Sequence, residues 1–205
     1  MSDQIRSLLL GRIVSGSYKP GDKLCEVPLS EEFGTSVAPV REALRSLESL
    51  RVVESEPFKG TRVKDFSAKD IRDAYQIRAV LEQFAICNMQ SSPIDELKKI
   101  QAEIAKAIEE NSFEKYVGLN FAFHRAVVNS AGSQLLIELW NVSMVWSSIR
   151  LELLTREPES LGQVIEEVHR GYKDHEEIVA LIEKGDNVAA GILLKQHAEL
   201  FSPRL

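Results

Sequence analysis

No stretch of eighteen consecutive apolar residues occurs in this 205-residue sequence, so nothing in it reads as a membrane span. Leu8-Leu9-Leu10 is soon interrupted by Arg12, and no small-residue cleavage pattern follows, which argues against a secretory signal. A cytoplasmic protein is expected. Cysteine is scarce: Cys25 and Cys87 stand far apart and, without an export signal, read as reduced, small apolar residues that suggest no zinc site. Internal repeats, low-complexity tracts, a nucleophile motif and a phosphate-cradling glycine loop are also missing. Basic excess is missing too, since the net charge is −6. That charge is unevenly spread: residues 1–65 hold ten Lys/Arg against ten Asp/Glu, and residues 66–205 hold 15 against 21. The front is neutral and the back is acidic. A neutral front can still touch nucleic acid if its cations share one face, with a modest, salt-sensitive phosphate contribution per subunit.

An apolar content of 44% is that of an ordinary folded chain with a full core, large enough for one large or two modest domains. Ile5, Leu8, Leu9 and Ile13 recur at helical spacing, and Ser15-Gly16 ends that helix. Tyr18–Asp22 is a Pro/Gly turn, and Lys23-Leu24-Cys25 is a short extended piece. Residues 29–50 then give two short amphipathic helices around Gly34, with Phe33, Val40, Ala43, Leu44, Leu47 and Leu50 as the buried seam. Thr35-Ser36 starts the second helix, and Pro39 sits in its first turn, where the missing N–H costs nothing. Val52–Ser55 and Thr61–Lys64 read as two strands around Pro57–Gly60, a hairpin with a glycine tip. Helix, strand, helix, helix and hairpin make a winged helix-turn-helix over 1–65.

From Ser67 the pattern is helical almost throughout. Ser67 and Asp70 form an acidic capping box ahead of a helix to about Gln90, with Ile71, Ala74, Ile77, Leu81 and Phe84 inward. Further helices follow at about 93–110, 112–131, 133–154, 161–184 and 187–201. The fold class expected is therefore mainly α: an N-terminal winged helix-turn-helix, then an all-α helical bundle over 66–205.

Three of the four histidines lie on apolar stripes: His124 among Phe121, Val127 and Val128, His175 among Val168, Ile178 and Val179, and His197 among Ala190, Leu194 and Phe201. His169, beside Glu166 and Lys173, reads as solvated. Each inward imidazole has a plain reading as a hydrogen-bonded core residue. Three on separate helices also fit a shared divalent metal, with Asn120, one turn before His124, as a fourth ligand through its amide oxygen. Arg78, a turn before Glu82, reads either as half of a surface ion pair or as a carboxylate clamp at the cavity edge, and Arg150, near Trp146, reads similarly. Trp140 and Trp146 read as core or dimer-face residues. No carboxylate sits at helical spacing from the histidines as a general base, so a metal-dependent enzyme is the lesser reading. In the front domain Ser36, Ala38, Arg41 and Arg45 lie on the exposed side of the recognition helix, and Lys59, Gly60 and Arg62 lie at the wing tip. They are either solvated surface or the contacts to double-stranded DNA, and the helix-turn-helix context favours DNA.

These residues carry a resemblance. Gly16-x-Tyr18-x-Pro20-Gly21-x-x-Leu24-x-Glu26, Phe33-Gly34, Pro39-Val40-Arg41-Glu42-Ala43-Leu44 and Gly60-Thr61-x-Val63 resemble the GntR family of bacterial transcription regulators. Arg78-x-x-x-Glu82, Asn120-x-x-Phe123-His124, His175-x-x-Ile178 and His197 are similar to the FCD domain of its fatty-acid-regulator (FadR) subfamily. The resemblance implies a homodimeric regulator, more often a repressor, that reads a palindromic operator under control of a small organic acid. It implies a divalent metal (Zn, Ni or Mn) on Asn120, His124, His175 and His197, with Arg78 and Arg150 at the effector. Two departures stand out. Asn120 replaces the family's aspartate, which implies weaker metal binding or an anion site without metal. Val37 replaces a usual arginine, a loss of about 1–3 kcal/mol per half-site, unless the operator differs or DNA binding has been given up for protein interaction.

Overall fold

The computed structural model describes residues 1–56, 59–155 and 161–200, with side chains outside positions 150–155, 161, 163–164 and 200. Among them the order is α1 (Ser2–Val14), β1 (Lys23–Leu24), α2 (Glu26–Glu32), α3 (Val37–Ser49), β2 (Val53–Glu56), β3 (Gly60–Val63), α4 (Ala68–Cys87), α5 (Ile94–Glu109), α6 (Phe113–Ser130), α7 (Gln134–Thr155), α8 (Leu161–Glu183) and α9 (Asn187–Leu200). The fold is thus mainly α, a winged helix followed by a six-helix bundle. Packing divides the chain into two compact units, Met1–Asp70 with Ser148–Leu153, and Ile71–Ser147 with the chain from Leu154 onward. The first cut falls after Asp70 rather than at residue 65, and Asp70 is tied back to Lys64 by a 3.2 Å ion pair.

In the first unit Ile5, Leu9 and Ile13 of α1 meet the buried row Val40, Ala43, Leu44 and Leu47 of α3, while Leu8 faces outward. Both rows repeat every three or four residues, which is what places them on one face of a helix. Gly34 closes the turn between α2 and α3 at φ +61°, a conformation that costs glycine little. The sheet order is β1-β3-β2, antiparallel throughout, with Lys23 opposite Arg62 and Arg62 opposite Glu54. Leu24, Val53 and Val63 turn inward, so Lys23, Glu54 and Arg62 share the outer face.

In the second unit Ile86, Leu97, Phe123, Val127, Trp140, Ile178 and Leu194 gather residues of all six helices into one core. The capping box ahead of α4 is formed on both sides: the Asp70 backbone N–H donates to Ser67 Oγ at 3.1 Å, and the Ser67 hydroxyl and backbone N–H both donate to Asp70 Oδ2. The face that α4 buries departs from the one its apolar residues suggest. Ile77 and Phe84 are exposed, as is Val80, whereas Arg78 and Glu82 are buried with Ile71, Ala74, Tyr75 and Ala79. Helix α4 is turned by its ion pair, and an apolar stripe is left facing outward.

The capping box gives a direct test. Ser67→Ala should lower the unfolding free energy by about 1 kcal/mol, read as a lower urea midpoint with unchanged slope.

Candidate metal centre and nucleic-acid interface

His124 on α6, His175 on α8 and His197 on α9 meet in the second unit, all three buried. Their ring centroids lie 4.8 to 5.3 Å apart, and one ligand nitrogen from each falls within 4.8 Å of the others. Each ring is held by a neighbour. His124 Nδ1 lies 3.0 Å from Glu82 Oε2, and His197 Nδ1 lies 2.9 Å from Asp174 Oδ2. Phe123 stacks on His175 at 3.8 Å between centroids and 8° between planes.

Glu82 is fully buried and accepts three hydrogen bonds. Arg78 Nε and Trp140 Nε1 both donate to its Oε1 at 2.7 Å, and His124 holds the other oxygen. Burial by itself would raise the Glu82 carboxyl, but the Arg78 charge and then His124 outweigh it and hold the group well below the usual carboxylate range. His124 also lies below its ordinary value, for a different reason: burial pushes it down to about 4, against the attraction of Glu82. Burial also sets His175 well below the normal range. At neutral pH both rings are therefore uncharged. An ionised carboxylate only accepts, so Nδ1 of His124 carries the proton and Nε2 keeps its lone pair.

That lone pair has no partner. Nε2 of His124 and both ring nitrogens of His175 are buried without a hydrogen bond. Buried polar atoms are ordinarily satisfied, and a bound cation would take the lone pairs of His124 Nε2 and of one His175 nitrogen, which resolves two of the three orphans. The donor set fits a borderline divalent ion. Carboxylates behind two of the rings are the usual means of fixing a metal-binding tautomer.

Of the residues picked out from sequence, the three histidines come together and His169 is exposed. Asn120 is half-buried on α6, one turn before His124. Arg78 is no surface residue: it is buried, paired with Glu82, and its Nη1 lies 3.5 Å from Ser147 Oγ. The Arg150 side chain lies outside the described residues. Glu82 and Asp174 were missed as site residues, because each reaches a histidine on a different helix, where spacing along the chain says nothing. The Arg-x-x-x-Glu pair was the available signal for Glu82.

In the first unit Ser36 stands at the N-cap position of α3 without a side-chain capping hydrogen bond, and Ala38, Arg41 and Arg45 stand exposed along that helix. Val37 opens α3, half-buried. Gly60 and Arg62 are exposed on β3, and Lys59 immediately precedes it. Lys23, Glu56, Lys59, Gly60 and Arg62 line a cleft of about 240 Å³ at the wing.

Comparison with known proteins decides what this pairing of units is. Residues 1–63 match the model for bacterial regulatory proteins of the gntR family, and residues 73–200 match the FCD domain. The chain belongs to the GntR family. It is 29% identical to the transcriptional regulator LutR of Bacillus subtilis (strain 168), over 90% of this chain and 92% of that one. It is 28% identical to the gluconate operon transcriptional repressor of Bacillus licheniformis, over 85% and 72% of the respective chains. Among solved structures, a GntR regulator from Rhodococcus sp. RHA1 superposes with a TM-score of 0.71 at 22% identity, covering 97% of this chain and 93% of that one. The E. coli protein McbR/YncC gives 0.71 at 20% identity with the same coverage. This GntR-family protein is a DNA-binding transcription regulator with an effector-type helical domain, and the family is one of regulators rather than enzymes. No helix among the described residues is long and apolar enough to cross a membrane.

The neutral histidines make stability pH-dependent in a defined direction. His124 titrates near 6.5 when unfolded and at about 4 when folded, so the unfolded chain binds more protons between those values and stability falls as pH drops through them. For metal-free protein His124 alone should contribute a loss of about 3 kcal/mol by pH 4, with His175 adding in the same sense. Urea unfolding across this range should show the loss, and His124→Gln should flatten it.

Proposed function

We propose that this protein is a homodimeric transcription repressor whose hold on a palindromic operator is set by a small organic acid bound beside a divalent metal in the FCD domain. The observation that carries the reading is the cluster of three buried histidines, in which Nε2 of His124 and both ring nitrogens of His175 have no hydrogen-bond partner. His124, His175 and His197 would hold the ion, with Asn120 as the fourth candidate on the same face of α6. When bound, the ion supplies positive charge toward which carboxylate oxygens are drawn. Glu82 and Asp174 keep two of the imidazoles in the ligating tautomer. Glu82 takes Nε of Arg78 and Ser147 accepts from Nη1 at 3.5 Å, so Nη2, with Nη1 shared, would be the place to clamp an effector carboxylate; Arg150 is the second clamp proposed. Zn, Ni and Mn all suit this donor set, and Asn120 in place of aspartate weakens the hold.

For the DNA side, Ser36, Ala38, Arg41 and Arg45 would face the major groove, while Lys59, Gly60 and Arg62 would meet the backbone at the wing. Effector binding would shift the spacing of two recognition helices in a dimer, which is how one ligand lowers affinity at a distant surface. The exposed stripe Ile77, Val80 and Phe84 of α4 supports self-association, since three large apolar side chains on one outward helix face are costly in water. A chromosomal target places the protein in the cytoplasm.

Metal analysis of purified protein should find a divalent ion, and His124→Ala should lose it; unchanged content would show other ligands. Selection of genomic fragments by the wild-type chain should recover a short palindrome, released by a subset of small carboxylic acids. Recovery of no fragment, with or without acids, would defeat the regulator reading. Phe84→Glu should convert the dimer to monomer in light scattering without unfolding it.

A further inference from the structure

Three of the four cations assigned to DNA, Arg41, Lys59 and Arg62, are already held by carboxylates. Arg41 donates from Nε and Nη2 to the two oxygens of Glu26 at 2.8 and 2.7 Å. Arg62 donates to Glu54 at 2.7 Å and also to Glu56, and Lys59 donates to Glu56 at 2.5 Å. Arg41, on the recognition helix, reaches Glu26 on α2, while Arg62 lies on the outer face of the wing sheet and Lys59 immediately precedes β3. All of these side chains are a third or more exposed.

Exposed ion pairs of this kind contribute little to folding, so stability does not account for three carboxylates placed against three DNA-facing cations. Their charge does something else. A backbone phosphate approaching Arg62 or Lys59 meets a donor already satisfied by a carboxylate and must displace it or share it. Lys23 differs: it stands opposite Arg62 on the same sheet face, lines the wing cleft, and makes no ion pair among the described residues.

We propose that Glu26, Glu54 and Glu56 attenuate DNA binding by holding Arg41, Arg62 and Lys59, and that Lys23 is the wing cation that takes a backbone phosphate. This rests on the reading of Arg41, Lys59 and Arg62 as the DNA face. The neutral balance of the first 65 residues is then a property of the DNA surface itself rather than an average over unrelated faces. Its use is to keep phosphate-driven attachment to arbitrary duplex weak, which matters because a genome offers a vast excess of such sites.

The test uses the full chain and a random-sequence duplex of about 30 base pairs, titrated at several salt concentrations, beside fragments selected by the wild type. Releasing one cation adds about one phosphate contact per subunit, worth roughly tenfold in affinity near 0.1 M salt and a steepening of the log–log salt slope by about 0.9. Glu54→Gln with Glu56→Gln should show at least that gain on random duplex. Lys23→Ala should show the reverse, weaker binding and a shallower slope on random and selected DNA alike. Glu109→Gln with Glu114→Gln, two exposed carboxylates of the second unit, changes net charge equally and should leave both quantities where they were. A double wing variant indistinguishable from wild type, an equal gain in the control, or a Lys23→Ala protein with undiminished affinity and slope overturns the proposal. If the wild type retains no selected fragment, the DNA-face reading falls and takes the proposal with it. Urea unfolding of each variant should keep the cooperative transition and a midpoint close to that of wild type, which separates a surface effect from loss of fold.

Discussion

Glu82 is the group around which the helical unit is arranged. An ionised carboxylate without exposure to water is tolerable only if its lone pairs are filled, and here Arg78, Trp140 and His124 fill them from α4, α7 and α6. Three consequences follow from that one requirement. The rotation of α4 is fixed, because the Arg78–Glu82 side must face the core. The indole of Trp140 is oriented, since its single N–H has one acceptor. The proton of His124 is fixed on Nδ1, so Nε2 faces the other two imidazoles as an unprotonated nitrogen. Removing only the carboxylate would strand a buried guanidinium, and losses of that kind are several times those of an exposed pair.

The same requirement explains what could be read in the sequence and what could not. Helix positions were legible because caps and breakers are local: Ser67 and Asp70, Gly16 and Gly34 act within a few residues of themselves. The winged hairpin was legible for the same reason. The inward face of α4 was not. Ile77 and Phe84 follow the apolar rule for burial and are exposed, while Arg78 and Glu82 break it and are buried. Periodicity counts apolar residues, and it has no means of knowing that a charge pair will find an indole and an imidazole on other helices. The histidines were found because each sits on a stripe of apolar neighbours, which marks depth whatever the partner. Glu82 and Asp174 were not, since their link to a histidine is a contact in space.

In the winged helix the position is reversed. Arg41 and Arg45 were placed correctly on the open side of α3 because Val40, Ala43, Leu44 and Leu47 define the other side. That Arg41 is engaged with Glu26 was not visible, although both belong to the family pattern, because the partners lie fifteen residues apart and meet only through the packing of α2 against α3. Charge totals gave the neutrality of the domain without its distribution.

Charge also bears on Asn120. The groups in contact at the centre are Glu82 and Asp174, each negative, Arg78, positive, and three imidazoles, of which burial keeps His124 and His175 neutral. With all three rings neutral that set sums to −1, and a divalent cation would bring it to +1. An aspartate at position 120 would return the loaded site to neutrality and bind the cation more firmly. Asparagine offers an amide oxygen with no charge, so the cation would be held less tightly, but the loaded site would keep a positive charge that one carboxylate can neutralise. A residue that weakened the hold on a metal would therefore strengthen the loaded site's pull on an anion, and the two affinities would be coupled: each ligand would be held better when the other was present.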